Sequence, residues 1–233
     1  MYWCCRICYK ERRQIVLTKQ EKVKEDICEI GRRMYAKGFT ASNDGNISVR
    51  ISDDEIWTTP TGVSKGFMTP DMLVRVNSNG EILEGNRNPS SEVKMHLRVY
   101  QNRKDIHAVV HAHPPLATAF AVCRMPLDKS YVPEGIVGLG PVPVTEYATP
   151  STEEVPKSIE PFLEGNVLLL ANHGALTWDI DIFSAYYKME VVEYLAQLNM
   201  NVQAIGKGVE LPDSEVEKLI GMRSYYKELA KKK

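Results

Sequence analysis

The sequence predicts an α/β fold: one domain in which a mixed, largely antiparallel sheet lies between helical layers. Helical and strand-like periodicities alternate along most of the chain. In the first third, short strands follow one another across tight turns, as antiparallel neighbours do. No internal repeat, low-complexity tract or linker divides the 233 residues, so residues 18–233 read as a single unit and residues 1–17 as a poorly specified extension.

The first element is a helix in "TKQEKVKEDICEIGRRMYAKGF" (18–39). Thr18 and Glu21 form a capping box, Val23, Ile27, Ile30 and Met34 recur at helical spacing, and Gly38 ends it. After the polar turn "TASNDGN", the stretch "ISVRI" alternates as a half-buried strand does. "EIWTT", "LVRVN" and "EILEG" follow as short strands, separated by Pro60, Gly62, Pro70 and the turn "NSNG".

"PSSEVKMHLRVYQNR" is helical, with Ser90 or Ser91 expected as its cap and Glu92 in its first turn. "AVVHAH" reads as a buried strand and "PPLATAFAV" as a helix with proline in its first turn. "VGLGPVPV" (137–144) is expected to be a strand, "STEEVPKSIEPFLE" a helix and "VLLLAN" an apolar strand. Two helices close the chain, 181–206 and 213–232.

Hydrophobic content of 43% and charged content of 25% are those of a soluble globular chain long enough to bury a sizeable core. A net charge of −1 gives no reason to expect nucleic acid or an acidic membrane as partner. The five cysteines form no even, secreted-type framework, so a reducing cytoplasm is the expected compartment. Cys5 and Cys8 make an isolated CxxC, but the first histidine is as far away as His96. Nothing reaches the length of a membrane span, and the first residues lack a signal-peptide core.

Chemistry concentrates around "VVHAHPP". His111 and His113 stand at i and i+2 of a strand, on one face, with Cα atoms roughly 6.5–7 Å apart. Glu92 begins the preceding helix, and His173 follows the next strongly apolar strand. Three imidazoles and a carboxylate suit a first-row divalent ion, zinc above all, with one position opening for substrate if the metal is catalytic. His96, four residues after Glu92, reads as a packing or supporting histidine, and His107 as solvent-exposed. The loops "GNIS", "TPTG" and "PSSE" carry small residues whose backbone N–H groups can approach an anion; capping and turn chemistry alone would also account for them.

In order and separation, "DGNISVR", "TPTG", "PSSE", "VVHAHP" and "NHG" resemble the zinc-dependent class II sugar-phosphate aldolases, the family of L-fuculose-1-phosphate aldolase and L-ribulose-5-phosphate 4-epimerase. The likeness runs from about Thr18 to Ala204. It implies that His111, His113 and His173 bind Zn²⁺, that Glu92 is both catalytic and a ligand of the resting metal, and that Asn46, Thr61, Gly62, Ser90 and Ser91 hold the substrate phosphate. It also implies a phosphorylated sugar as substrate and a fourfold-symmetric homotetramer with active sites between subunits.

Glutamate at position 92 favours aldol cleavage over epimerisation, since the resembling epimerases carry aspartate there. Related activities are a 5-deoxypentulose-1-phosphate aldolase, a methylthioribulose-1-phosphate dehydratase and the non-catalytic scaffold of adducin-like relatives, which has no reason to keep all four ligands. Tyr131 matches, with a one-residue shift, a tyrosine that serves as acid in a neighbour's site. Glu134 beside it departs from the family pattern. Tyr225 and Tyr226 read as packing residues. Lys65 could offer a Schiff-base route, but its loop promises neither burial nor a cationic neighbour.

Overall fold

The computed structural model describes residues 18–230, with side chains as far as residue 223. The expected extension over residues 1–17, with Cys5 and Cys8, lies outside the described residues, as do the side chains of Tyr225 and Tyr226.

Seven strands form one sheet: β1 (Asn46–Ser52), β2 (Glu55–Thr58), β3 (Val74–Val76), β4 (Ile82–Glu84), β5 (Ala108–Ala112), β6 (Val167–Leu170) and β7 (Gly174–Asp179). Their order is β4-β3-β2-β1-β5-β7-β6, and all six pairings are antiparallel. The one parallel contact is an isolated bridge between Val144 and Leu169.

Alternation along the strands sorts the side chains into two cores. Ile47, Val49, Ala108, Val110 and Leu169 face α1 (Lys19–Ala36), α3 (Pro115–Val122) and α6 (Ile182–Ile205). Val109, Leu168, Leu170, Leu176 and Trp178 face α2 (Val93–Asn102) and α5 (Glu154–Ile159). With Val109 on the α2 side, the period of two carries His111 to that side also. By the same rule Asn46 and Ser48 of β1 face α2.

Local chemistry sets the helix ends. Thr18 Oγ1 accepts the Glu21 N–H at 3.2 Å while the Glu21 carboxylate accepts the Thr18 N–H at 2.7 Å, completing the box at the start of α1. Gly38, at φ +71°, stands just beyond the α1 terminus. Arg50, buried in β1, donates to the carbonyls of Tyr100, Arg103, Lys104 and Ile106, neutralising the carboxyl end of α2.

Three expectations are corrected. The cap of α2 is Glu92, with no side-chain cap bond; Ser90 instead accepts the Glu92 N–H in a short turn. Residues 137–144 are not a strand. The segment Pro133–Gly138 is helix α4, and the rest makes only single bridges, because Pro141 and Pro143 lack the N–H a ladder needs. The helix expected over 151–164 shortens to α5 and a 3₁₀ turn at Glu160–Phe162, broken by Pro161. The sequence periodicity also assigns nothing to residues 174–179, which form β7. This strand is buried on both faces and so has no polar alternation to reveal it.

The turn that carries the chain away from β5 is held by α6. The Glu193 carboxylate accepts the N–H groups of Leu116 and Ala117 at 3.1 and 2.8 Å, serving the otherwise unpaired first turn of α3. The terminal helix α7 (Asp213–Ala230) docks through Arg223, which donates to the Ile136 carbonyl of α4. Replacing Glu193 by alanine leaves two helix-start donors unserved. It should lower unfolding free energy by about 1–3 kcal/mol, measured by urea denaturation.

Candidate metal centre

The site lies where β5, the β6–β7 turn and the start of α2 meet. His111 is fully buried in β5, directly opposite Asn46 of β1 and Leu176 of β7. His113 follows at i+2, just past the strand. His173 occupies the turn after β6, entered through Asn172 at φ +54° and pinned by its N–H to the Leu170 carbonyl at 3.0 Å. Gly174 opens β7 because no larger residue fits: a Cβ there would strike the Ala112 carbonyl and the His113 ring.

The three imidazoles converge. One ring nitrogen from each lies within 4.8 Å of the others. His111 Nδ1 lies 2.9 Å from the Ala175 carbonyl, which can only accept, so Nδ1 carries the proton and Nε2 faces inward bare. His113 Nε2 meets His111 Nε2 at 3.1 Å, while His113 Nδ1 lies 3.7 Å from Asp44 Oδ2. Glu92 completes the group: Oε2 is 3.4 Å from His111 Nε2, and Oε1 is 3.2 Å from His173 Nε2.

Charge within the group follows burial. Desolvation pulls His113 and His173 down to about 4, so both are neutral at physiological pH. Burial alone would raise Glu92, but the facing imidazoles, His111 foremost, outweigh it and hold the carboxyl at about 2. The result is a carboxylate turned toward the ring nitrogens of three imidazoles. Glu92 Oε1 is buried and has no hydrogen-bond partner. A cation held among these groups would partner that oxygen, and the donor set fits a first-row divalent ion.

The anion-binding candidates split between core and surface. Asn46 is buried and donates Nδ2–H to Ser90 Oγ at 2.8 Å. Ser90 N–H donates to the Thr59 carbonyl and Thr61 N–H to that of Asn88, joining the "TPTG" and "PSSE" loops. Thr61, Gly62 and Ser91 are exposed, and Gly62, at φ +71°, has open space over its α-carbon. His96 is buried among Asn46, Ser48 and Tyr100, and His107 is exposed, as the sequence reading has them.

Two residues differ from expectation or stand apart. Lys65 is buried to 1% exposure, not left in an open loop, and burial pulls it to about 8. Its Nζ nevertheless donates to the carbonyls of Asn43 and Val63 at 2.8 and 2.7 Å, which hold the ammonium form and leave no free amine. Tyr131 is not brought to the histidines of its own chain. Its ring lies against Gly208, in the link between α6 and α7, and Glu134 is exposed in the first turn of α4. Sequence reasoning missed Asp44, although it stands in the "DGN" motif two residues before Asn46.

Residues 25–200 match the family model described as the class II aldolase and adducin N-terminal domain. The chain belongs to this family. It is 36% identical to the L-fuculose phosphate aldolase of Methanococcus maripaludis, across 75% of this chain and 94% of that one. Identity to the 5-deoxy-D-ribulose 1-phosphate aldolase of Bacillus thuringiensis is 34%, across 85% and 94%. With the 3-oxo-tetronate 4-phosphate decarboxylase of Haemophilus influenzae it is 32%, across 84% and 95%. A solved L-fuculose 1-phosphate aldolase superposes with a TM-score of 0.80 at 34% identity, covering 88% of this chain and 98% of that one. This class II aldolase is therefore an enzyme of the lyase kind. Among the described residues no helix is long and apolar enough to cross a membrane.

Protons compete with metal for the imidazoles, and burial has already lowered the proton affinity of His113 and His173. Proton competition at His113 and His173 should set in only near pH 4, where the apparent affinity for a divalent ion falls steeply as both protonate. Divalent-ion titrations at a series of pH values would check this. Ordinary histidines would begin to lose the metal near pH 6.5.

Proposed function

We propose that this enzyme reversibly cleaves a ketose 1-phosphate of the L-fuculose 1-phosphate type to dihydroxyacetone phosphate and a small aldehyde such as L-lactaldehyde, with Zn²⁺ as its metal. The observation carrying this reading is Glu92, a buried carboxylate with an unpartnered oxygen facing three imidazoles. His111, His113, His173 and Glu92 would hold the ion, which when bound supplies an electron-pair acceptor for the negative charge left by C3–C4 cleavage.

The residues of the chain do the remaining work. Asn46, Thr61, Gly62, Ser90 and Ser91 anchor the phosphate, so that binding energy remote from the breaking bond positions the reacting end. Glu92 returns a proton to C3 of the dihydroxyacetone phosphate half after cleavage, and removes it in the synthetic direction. Its carboxyl is ionised across the physiological range, which suits the base role. The Ala175 carbonyl keeps the His111 ring in one tautomer and orientation.

Tyr131, from a neighbouring subunit of a homotetramer, receives the C4 hydroxyl proton as the aldehyde leaves and, as the second acid, returns it to the aldehyde oxygen in the synthetic direction. Its position away from its own histidines supports that arrangement. Cytoplasmic placement accords with the cysteine usage. A second reading, cleavage of a 5-deoxypentulose 1-phosphate, is favoured by one observation: similarity to the 5-deoxy-D-ribulose 1-phosphate aldolase spans 203 residues, against 174 for the L-fuculose phosphate aldolase.

The zinc-loaded protein should release dihydroxyacetone phosphate from L-fuculose 1-phosphate or 5-deoxyribulose 1-phosphate, and chelation should abolish release. Epimerised L-ribulose 5-phosphate, or carbon dioxide from 3-oxo-tetronate 4-phosphate, with neither 1-phosphate cleaved, would overturn the aldolase reading. Glu92→Gln keeps the shape but not the base and should lower kcat by about 10²–10⁴-fold, measured in the same assay at saturating Zn²⁺.

A further inference from the structure

A buried chain of hydrogen bonds runs from the α2–sheet core to the anion loops. Ser48 Oγ lies 2.7 Å from His96 Nδ1, and His96 Nε2 lies 3.0 Å from Asn46 Oδ1. Asn46 Nδ2 donates to Ser90 Oγ at 2.8 Å. Asn46, Ser48, His96 and Tyr100 are all buried, so each bond must be satisfied within the chain. Tyr100 anchors the far end: its hydroxyl lies 2.8 Å from Ser48 Oγ and 3.0 Å from the Ser48 carbonyl, with one proton to offer between these two acceptors.

The donor direction can be followed atom by atom. Asn46 turns its amide nitrogen to Ser90, so its oxygen faces His96 and requires a proton on His96 Nε2. A neutral imidazole then has a bare Nδ1, which accepts from Ser48 Oγ–H. Burial holds this ring neutral, at about 3. At the other end, Ser90 Oγ receives the Asn46 Nδ2–H and, at 3.3 Å, the Glu92 N–H. Both lone pairs are occupied, so the Ser90 hydroxyl proton is left to point away from the protein's own acceptors. The reverse polarity needs the Asn46 amide turned over; it would spend the Ser90 proton on Asn46 and aim a lone pair at any anion.

We propose that His96 is a positioning residue: as the Nε2–H tautomer it sets the Asn46 amide so that Ser90 presents its hydroxyl as a donor to the anionic oxygen of the substrate. This rests on the reading of Ser90 as a phosphate residue. The device acts through binding of the phosphate, not through the metal or the proton transfer at Glu92. It therefore separates KM from kcat.

Two measurements test it. Nitrogen-15 NMR of the histidine rings in the intact zinc protein should find His96 protonated at Nε2 and bare at Nδ1 near pH 7; the opposite tautomer overturns the proposal. Kinetics and inhibition by inorganic phosphate form the second test. His96→Leu should raise KM and weaken phosphate inhibition about tenfold or more, with kcat within threefold and zinc content unchanged. His96→Gln, whose amide can donate from near the Nε2 position, should recover most of the loss, and serves alone if His96→Leu does not fold. Unchanged phosphate inhibition in His96→Leu, alongside a loss in Ser90→Ala, overturns the role of His96 and leaves the phosphate reading intact. If neither variant weakens phosphate inhibition, the phosphate reading itself falls, and the proposal with it.

Discussion

The pairing of β5 with β1 on one side and β7 on the other is the constraint on which the rest of the site depends. It sets His111 opposite Asn46 and next to Ala175, the residue after Gly174. A slip of one residue would turn His111 into the opposite core, where α1 and α6 pack, and carry His113 with it. The register therefore does more than close a sheet. It brings the candidate metal ligands and the proposed anion-binding residues to the same face, with Glu92 two residues beyond Ser90 at the start of α2.

That arrangement gathers three imidazoles and two carboxylates around one point. His113 and His111 meet at their Nε2 atoms, Glu92 faces His111 and His173, and Asp44 approaches His113. The fold tolerates this because each ligand is held from behind. Ala175 holds His111, the Leu170 carbonyl holds the turn of His173, and Glu193 secures the helix that follows His113. Secondary structure thus fixes the geometry of the ligands from outside the cluster. It also leaves the site ready for a cation without rearrangement.

The anion side is built differently. Buried Asn46 and half-buried Ser90 belong to a polar chain that reaches Tyr100, while Thr61, Gly62 and Ser91 are open to solvent. Lys65 ties the backbone of the "TPTG" loop to the turn at Asn43 from beneath. A half-buried, half-open cradle suits a ligand whose phosphate is enclosed on one side and whose sugar extends toward the metal. Identity to relatives that act on different sugar phosphates is consistent with this division.

Much of this was legible in the linear sequence. Strand period placed His111 and His113 on one face, the capping box placed α1, and short motifs pointed to the ligands and the loops. These features depend on residues within a turn or two of one another, where local sterics and hydrogen bonding decide. Strand β7 was not legible, since a strand buried on both faces shows no alternation. The proline-rich segment 137–144 misled, because its valines suit a strand while its prolines cannot join one. Nor could spacing show that Lys65 is buried, that Asp44 approaches His113, or that His96 links Ser48 to Asn46. Those facts join residues about 20 to 70 positions apart. The sequence by itself determined which chemical groups are available and how each local segment folds. Only the tertiary structure decided which of them meet, because meeting depends on strand register and helix packing across the whole sheet.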